Sequence, residues 1–571
     1  MNVSINPFFV FVSSKVIMLN PEINEFTVSE ELTQIASYFA IVDNAIKASD
    51  TNKRYKISTN NCEGAPAPFK LGSWCSVPIS PQGDNMIDLY NSFITVEIDL
   101  GAFKTPANTF PSLPATTSSG STSLSTIGFK EPSIWVGFKD AMDIVCQYQL
   151  VANGQAFYTQ SFAVEESYIT SLATTEQVKQ VDPYSKTRHE DVWNGSDNTR
   201  TGCLMNYTAI SGTPNNADNK IKLKIDLRRF LPLATIKYLP EFVGNLELRL
   251  KFGLEGLVCA PIGYDGIIGY SANATKATIV DSSGGGITNK FVPYAELEAG
   301  HVKSYTSFAW DSSTLKLTTG LVSGAGLAGT PTIVECRSHL ACFGLDINIY
   351  NQLAARYEQM ALSFPIQTLT VHQMNGKIDQ TKATATGGHA TTTLTLVPRF
   401  VDSIFLLFPQ TSNYHTCYDN ILAKDYSLKM GGYGSFPEVL YSTYSPEFIE
   451  VSSNVFNVNN DLTGFNKDVI KSLVNSGANN TGYKSFDTSN FILAIPTSTD
   501  NTFQQGQTSN TTINYQLVIN FDSESPLIQS GASCVPFMCL LKDSVLAIQR
   551  RPGGAPPIIT LDEYDITTPA Q

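Results

Sequence analysis

The side chains able to do chemistry are few and scattered. The six histidines, His189, His301, His339, His372, His389 and His415, show no metal-ligand spacing, and no GxxxxGK[ST], GxSxG or HExxH occurs. Arg188-His189-Glu190-Asp191 is the most polar cluster and carries groups that could hold a cation, but a solvated face accounts for it. His415 and Cys417, close together near Tyr414, have the types of a thiol nucleophile and its base, yet read as core or loop residues. Gly324-Ala-Gly-Leu-Ala-Gly329 fits the turn that brings a dinucleotide pyrophosphate to a helix N-terminus. Its context refutes this: Pro331 follows at once, Thr330 and Thr332 are poor helix residues, and no βαβ unit surrounds it. It reads as a loop. The expectation is therefore no catalytic, cofactor-binding or metal-binding residue and no cofactor, although paired carboxylates on a β scaffold would leave no local signature.

The ten cysteines, at 62, 75, 146, 203, 259, 336, 342, 417, 534 and 539, form no CxxC pair or short regular framework and read as reduced, mostly buried thiols. Sequons such as Asn194-Gly-Ser and Asn206-Tyr-Thr are what a Ser/Thr-rich chain produces by chance. Pro7-Phe-Phe-Val-Phe-Val12 is too short to span a membrane and lacks the flanks of a signal peptide, and Met18 is an alternative start. Nothing later reaches the length of a membrane span, so a soluble, cytosol-made protein is expected.

The elements around these residues belong to a large chain. Its 571 residues exceed what one core supports, so two or three domains are expected. Only 16% are charged, against about 25% in ordinary soluble domains, while 42% are hydrophobic. Either large cores or flanks buried in an assembly give such a balance. The net charge of −13 and the lack of a basic arm argue against direct nucleic-acid binding as the main work.

Thr27-Val-Ser-Glu30 has capping-box spacing, and Leu32, Ile35, Phe39, Val42 and Ile46 follow at helical intervals, predicting one amphipathic helix to about Ala48. Its stripe packs on its own subunit or docks on a neighbour or inner partner. From Tyr55 the pattern turns to short β-type runs separated by Gly, Pro, Asn and Ser clusters, as in sandwiches and barrels. The cleanest alternates Leu246, Leu248, Leu250 and Phe252 with Glu247, Arg249 and Lys251. Asn153-Gly154 predicts a tight hairpin, and a helical stretch runs from Phe162 to Val178. Lys104 to Thr126, Ser271 to Thr288 and Thr497 to Asn510 read as surface loops. A second β series begins near Val302 and includes a run from Ile333 to Ile349. Ser133-Ile-Trp-Val-Gly-Phe138 recurs as Ser403-Ile-Phe-Leu-Leu-Phe408, each followed by a strand running into glycine, at Gln149 to Gly154 and Ser427 to Gly431. That suggests duplication.

The segment Asp226 to Phe252 holds Phe230-Leu-Pro-Leu233, then Leu239-Pro-Glu-Phe-Val-Gly244, then the alternating strand. It resembles the double jelly-roll major capsid proteins of virophages and Polinton-like viruses, in which such a short helix and turn feed a strand near the end of the first jelly roll. Thr391 to Gln410, with Pro398-Arg-Phe-Val-Asp402 between two β runs, is similar to the opening of that family's second jelly roll. The likeness in length, order of parts and β-density runs from Tyr55 to Gln549, and the N-terminal helix departs from it.

The resemblance implies an all-β chain of two tandem eight-stranded jelly rolls with short helices in connecting loops. It implies a non-enzymatic subunit of pseudo-hexagonal homotrimers tiling an icosahedral shell around double-stranded DNA. Expected partners are other copies of the chain, a separate penton protein and minor capsid proteins, with no sequence-specific nucleic-acid binding. The expected location is the virion, after synthesis in the host cytoplasm. The expected division is an N-terminal arm over 1–54, a first jelly roll over 55–300, a second over 301–549 and a C-terminal arm over 550–571. The arm, Pro/Gly-rich and then β-type, is expected to add a strand to a neighbour or to its own base. The rival readings are a secreted or surface β-sandwich carbohydrate-binding protein and a β-sandwich glycosidase.

Overall fold

The computed structural model describes residues 30–48, 53–81, 83–100, 103–104, 133–138, 140–172, 203–208, 220–262, 292–293, 308–311, 316–319, 326–327, 331–378, 389–409, 418, 421, 423–437, 439–443, 445–455, 491–497, 506–509, 511–521, 534–551 and 557–562.

Among the described residues, eight main strands build the first sandwich: β1 (Arg54–Thr59), β2 (Trp74–Ile79), β3 (Met86–Asp99), β4 (Val145–Ala152), β5 (Gln155–Gln160), β6 (Lys220–Asp226), β7 (Leu246–Phe252) and β8 (Thr332–Phe343). One sheet runs β1-β8-β3-β6 and the other β2-β7-β4-β5, antiparallel throughout. A second set follows: β9 (Leu362–Gln373), β10 (His389–Leu396), β11 (Val401–Leu407), β12 (Ala423–Met430), β13 (Ser435–Phe436), β14 (Leu493–Pro496), β15 (Ile513–Phe521) and β16 (Phe537–Gln549). Its sheets run β9-β16-β11-β14 and β10-β15-β12-β13. Every neighbour relation of the first sandwich recurs with eight added to the strand number. Two four-stranded sheets in this order are the jelly roll, so the fold is two tandem jelly rolls.

The strands form where alternation lets one face be buried. In β7 Leu246, Leu248, Leu250 and Phe252 are buried while Glu247, Arg249 and Lys251 are partly wetted. Each buried leucine contributes roughly 1.5–3 kcal/mol. β11, flanked by β16 and β14, is buried along its whole length, and after Asp402 and Ser403 it reads as an apolar run from Ile404 to Leu407. Asn153 and Gly154 both take positive φ, 51° and 83°, closing the β4–β5 hairpin as the dipeptide predicts.

Among the described residues four helices accompany the strands: α1 (Glu30–Ala48), α2 (Ala163–Leu172), α3 (Ile347–Gln359) and α4 (Pro446–Val455). α2 and α4 occupy the same place in the two rolls, between the fifth and sixth strands. α3 carries the chain from one roll to the other.

Three expectations change. The division near residue 300 moves, because β8 pairs with β1 and β3 and so closes the first roll. The first roll ends at Phe343 and the second opens at Leu362. The run to Ile349 is not one strand: it stops at Phe343, and Asp346 caps α3 by accepting from the Asn348 N–H at 2.9 Å. The repeated Ser133–Phe138 and Ser403–Phe408 segments are not equivalent, since residues 133–138 join 203–208 and 257–262 in a small separate sheet. β11, by contrast, is third strand of its roll. The second half of that match holds, because β4 and β12 are both fourth strands running into a glycine of positive φ, Gly154 and Gly431.

Strands near 302 also stay outside the second roll: among the described residues 308–311 pairs only with 316–319. Gly326–Leu327, inside the glycine-rich hexapeptide, pairs with Phe103–Lys104. The expected loop from Thr497 to Asn510 includes Gln507, which is buried and exchanges backbone bonds with Val401 at 3.0 and 2.7 Å.

Candidate assembly module: the junction of the two rolls

The residues with the most demanding environments lie where the rolls meet. Glu166, in the first turn of α2, is fully buried. Its carboxylate accepts from Tyr148 Oη on β4 at 2.8 and 2.9 Å, from Gln160 Nε2 on β5 at 2.8 Å and from the Leu231 N–H at 3.1 Å. Burial pushes its pKa up to about 7, against the pull of the Leu231 N–H, the Gln160 and Tyr148 hydrogen bonds and the Arg229 charge. Gln160 Nε2 also donates to the Leu369 carbonyl of β9 at 2.9 Å, so the cluster reaches into the second roll.

α2 continues that crossing. Tyr168 is buried, donates to the Phe491 carbonyl at 2.9 Å, and its ring lies 4.5 Å from that of Tyr418. Phe162 meets Phe537 at 5.9 Å, and Thr235 Oγ1 donates to the Pro365 carbonyl at 2.6 Å. Leu362, Phe364, Ile366, Leu546 and Ile548 of the second roll are continuous with the first roll's core. Tyr168, Ile169, Leu231 and Ala234 of the first are continuous with the second's.

α1 seals the junction from another side. Tyr38 is buried with its ring 5.9 Å from Tyr357 of α3 and 6.2 Å from Phe364 of β9, and its hydroxyl donates to the Tyr238 carbonyl at 3.2 Å. Asp43 accepts from Lys237 Nζ at 3.0 Å and Tyr238 Oη at 2.7 Å. Between Tyr38 and Ile46 its apolar stripe packs on this chain's own surface.

The C-terminal segment does likewise. β17 (Ile558–Asp562) pairs antiparallel with the end of β16, from Val545 to Gln549. On the way Arg550 pairs with Glu358 of α3 at 2.8 Å, and the Pro557 carbonyl accepts from Asn153 Nδ2 at the β4–β5 turn at 3.0 Å. The expected strand addition is made on this chain's own base.

Phe230-Leu-Pro-Leu233 and Leu239 to Gly244 fold as short 3-10 turns and a three-residue strand leading into β7, with Gly244 at φ 77°. Arg188 to Asp191, His415 and Cys417 lie outside the described residues. Sequence reasoning missed Glu166, Tyr168 and α4. For α4 a signal existed: Ser445, whose Oγ accepts from the Phe448 N–H at 3.3 Å, followed by Pro446 at the first helical position.

A few large apolar side chains among the described residues are bare. On β1, the outer strand of its sheet among the described residues, Ile57 is 60% exposed and Tyr55 stands beside it. On the second roll Val439 is 77% exposed and Leu440 also lies open.

By strand order and shared core, then, this is a double jelly-roll protein. No protein-family model matches the chain, and no curated protein does. Among solved structures it is similar to that of the Sputnik virophage, at 8% identity, 91% of each chain covered and a TM-score of 0.45. It is also similar to the mavirus major capsid protein (11% identity, 90% of this chain and 92% of that one, TM-score 0.41) and the Faustovirus major capsid protein (10%, 87% and 90%, 0.40).

Proposed function

We propose that the chain is a major capsid protein, a non-catalytic subunit of pseudo-hexagonal homotrimers that tile an icosahedral shell around a double-stranded DNA genome. The observation that carries this is one sandwich built twice and locked by a buried junction. A rigid pair of like modules lets three chains set six sandwiches in a ring, and a closed ring of heterologous contacts can tile a hexagonal lattice. The names of the similar structures agree with it.

The partners are then other copies of the chain first, with a separate penton protein at the five-fold vertices and minor capsid proteins. With a net charge of −13 the subunit encloses the genome without holding it. Its place is the virion, after synthesis in the host cytoplasm. Native mass measurement should find a particle near three times the 62.2 kDa chain, and electron microscopy hexagonal capsomers or shells. A stable monomer under native conditions overturns the proposal.

A further inference from the structure

Three thiols converge at one corner of the first roll, and shell assembly has no use for them. Cys62 lies in the connection between β1 and β2, Cys75 on β2 and Cys336 on β8 of the opposite sheet, and all three are buried. The Cys336 and Cys62 thiols both bear on the titration of Cys75, and Asn60 Nδ2 lies 3.8 Å from the Cys336 sulfur.

The backbone sets Cys62 and Cys75 directly opposite each other across an antiparallel bridge. Their neighbours make the hydrogen bond, Glu63 N–H to the Trp74 carbonyl at 2.9 Å. The cysteines are therefore a non-hydrogen-bonded pair, the closer of the two antiparallel spacings, with Cα atoms about 4.5 Å apart. That lies within the roughly 4.4–6.8 Å span of disulfides. A tight turn holds the approach, since Cys62 and Ala65 exchange backbone bonds at 3.2 and 2.8 Å while Glu63 and Gly64 take φ of 48° and 79°. Among the described residues no group of three or more His, Cys, Asp or Glu is arranged to hold a metal ion.

We propose that Cys62 and Cys75 are an oxidisable pair that forms a disulfide across the base of the 62–75 loop, with a small disulfide such as oxidised glutathione as oxidant. The Cys75 sulfur attacks the oxidant and its sulfur–sulfur bond breaks. Cys62 then displaces the attached half, so one protein disulfide forms and two small thiols leave with the two electrons and two protons. Both sulfurs are covered, so exchange requires the loop to lift; its tip, residues 63–66, is already exposed. The bond ties the first connection of the roll to its second strand and reduces the freedom of the unfolded chain. Its use rests on the capsid reading, because a subunit made in a reducing cytosol and carried into an oxidising medium gains the bond only after release. The pair itself does not depend on that reading.

The test takes the purified full-length chain, whatever its oligomeric state, through prolonged incubation with oxidised glutathione in mildly alkaline buffer. Thiol titration in denaturant should then show two of the ten thiols lost. Tryptic mapping should join the peptide of residues 57–70 to that of residues 71–104, a link that reductant reverses. Cys336→Ala should retain the link and Cys62→Ser should lack it. Ten free thiols, a bond from Cys75 to Cys336, a persistent glutathione adduct, or loss of the link in Cys336→Ala would each overturn the proposal.

Discussion

Glu166 shows what a single carboxyl does when it is fully buried among three hydrogen-bond donors. Its folded pKa, about 7, stands above the ordinary 4.5, so the folded protein holds this proton more tightly than the unfolded chain. Stability from this group is fully present below pH 4.5 and is lost as pH rises through 7. The loss is on the order of 3 kcal/mol, at about 1.4 kcal/mol per unit of pKa difference. Thermal melts from mildly acidic to mildly alkaline pH should show this slope, and Glu166→Gln should flatten it. The same variant should melt lower at acidic pH, because its amide faces the Gln160 donor. A second test is Tyr168→Phe, which strands the Phe491 carbonyl in the junction. Denaturant unfolding should find it about 1–3 kcal/mol less stable.

Among the elements, β17 carries the clearest expectation. Its Ile559 and Leu561 pack against the first roll's core while its backbone pairs with β16. Truncation after Arg550 removes both contacts and bares the edge of β16 from Val545 to Gln549. The shortened chain should melt several degrees lower and aggregate through that edge, as scanning calorimetry and light scattering would report. Elements of this kind were unevenly legible in the sequence. β7 could be read residue by residue because its period is two and one face is wet. α3 was hidden because Ile347 and Ile349 prolong a β-type run, and only the Asp346 cap and the spacing of Leu353 and Tyr357 mark the change. The limit between the rolls was misplaced for a different reason: residues 253–331 separate β7 from β8, and no local pattern says that a strand so delayed returns to the first sheet. The junction was illegible throughout, since Glu166, Gln160 and Leu231 come together only through tertiary structure.

For the molecule as a whole, a core continuous across the junction predicts one cooperative unfolding transition rather than two. Calorimetry should give a single peak, and two resolved peaks would mean the junction contributes little. The bare apolar side chains offer a test of the proposed trimer instead. Val439→Asp with Leu440→Asp leaves the described cores untouched, because both residues are exposed. The pair should preserve the melting temperature yet lower the trimeric fraction in sedimentation velocity, since charged groups are disfavoured at the centre of an interface.

The late arrival of β8 also shapes how the protein is made. Among the described residues, β8 is the only strand that pairs with β1, and it runs beside β3 for most of that strand's length. A ribosome adding about 5–20 residues per second takes on the order of tens of seconds between delivering Thr59 and delivering Thr332. Throughout that interval the nascent chain carries β1 with no lateral partner and β3 with only its other edge, the one that takes β6, able to pair. The heaviest demand for chaperones therefore falls before the second roll has begun to emerge.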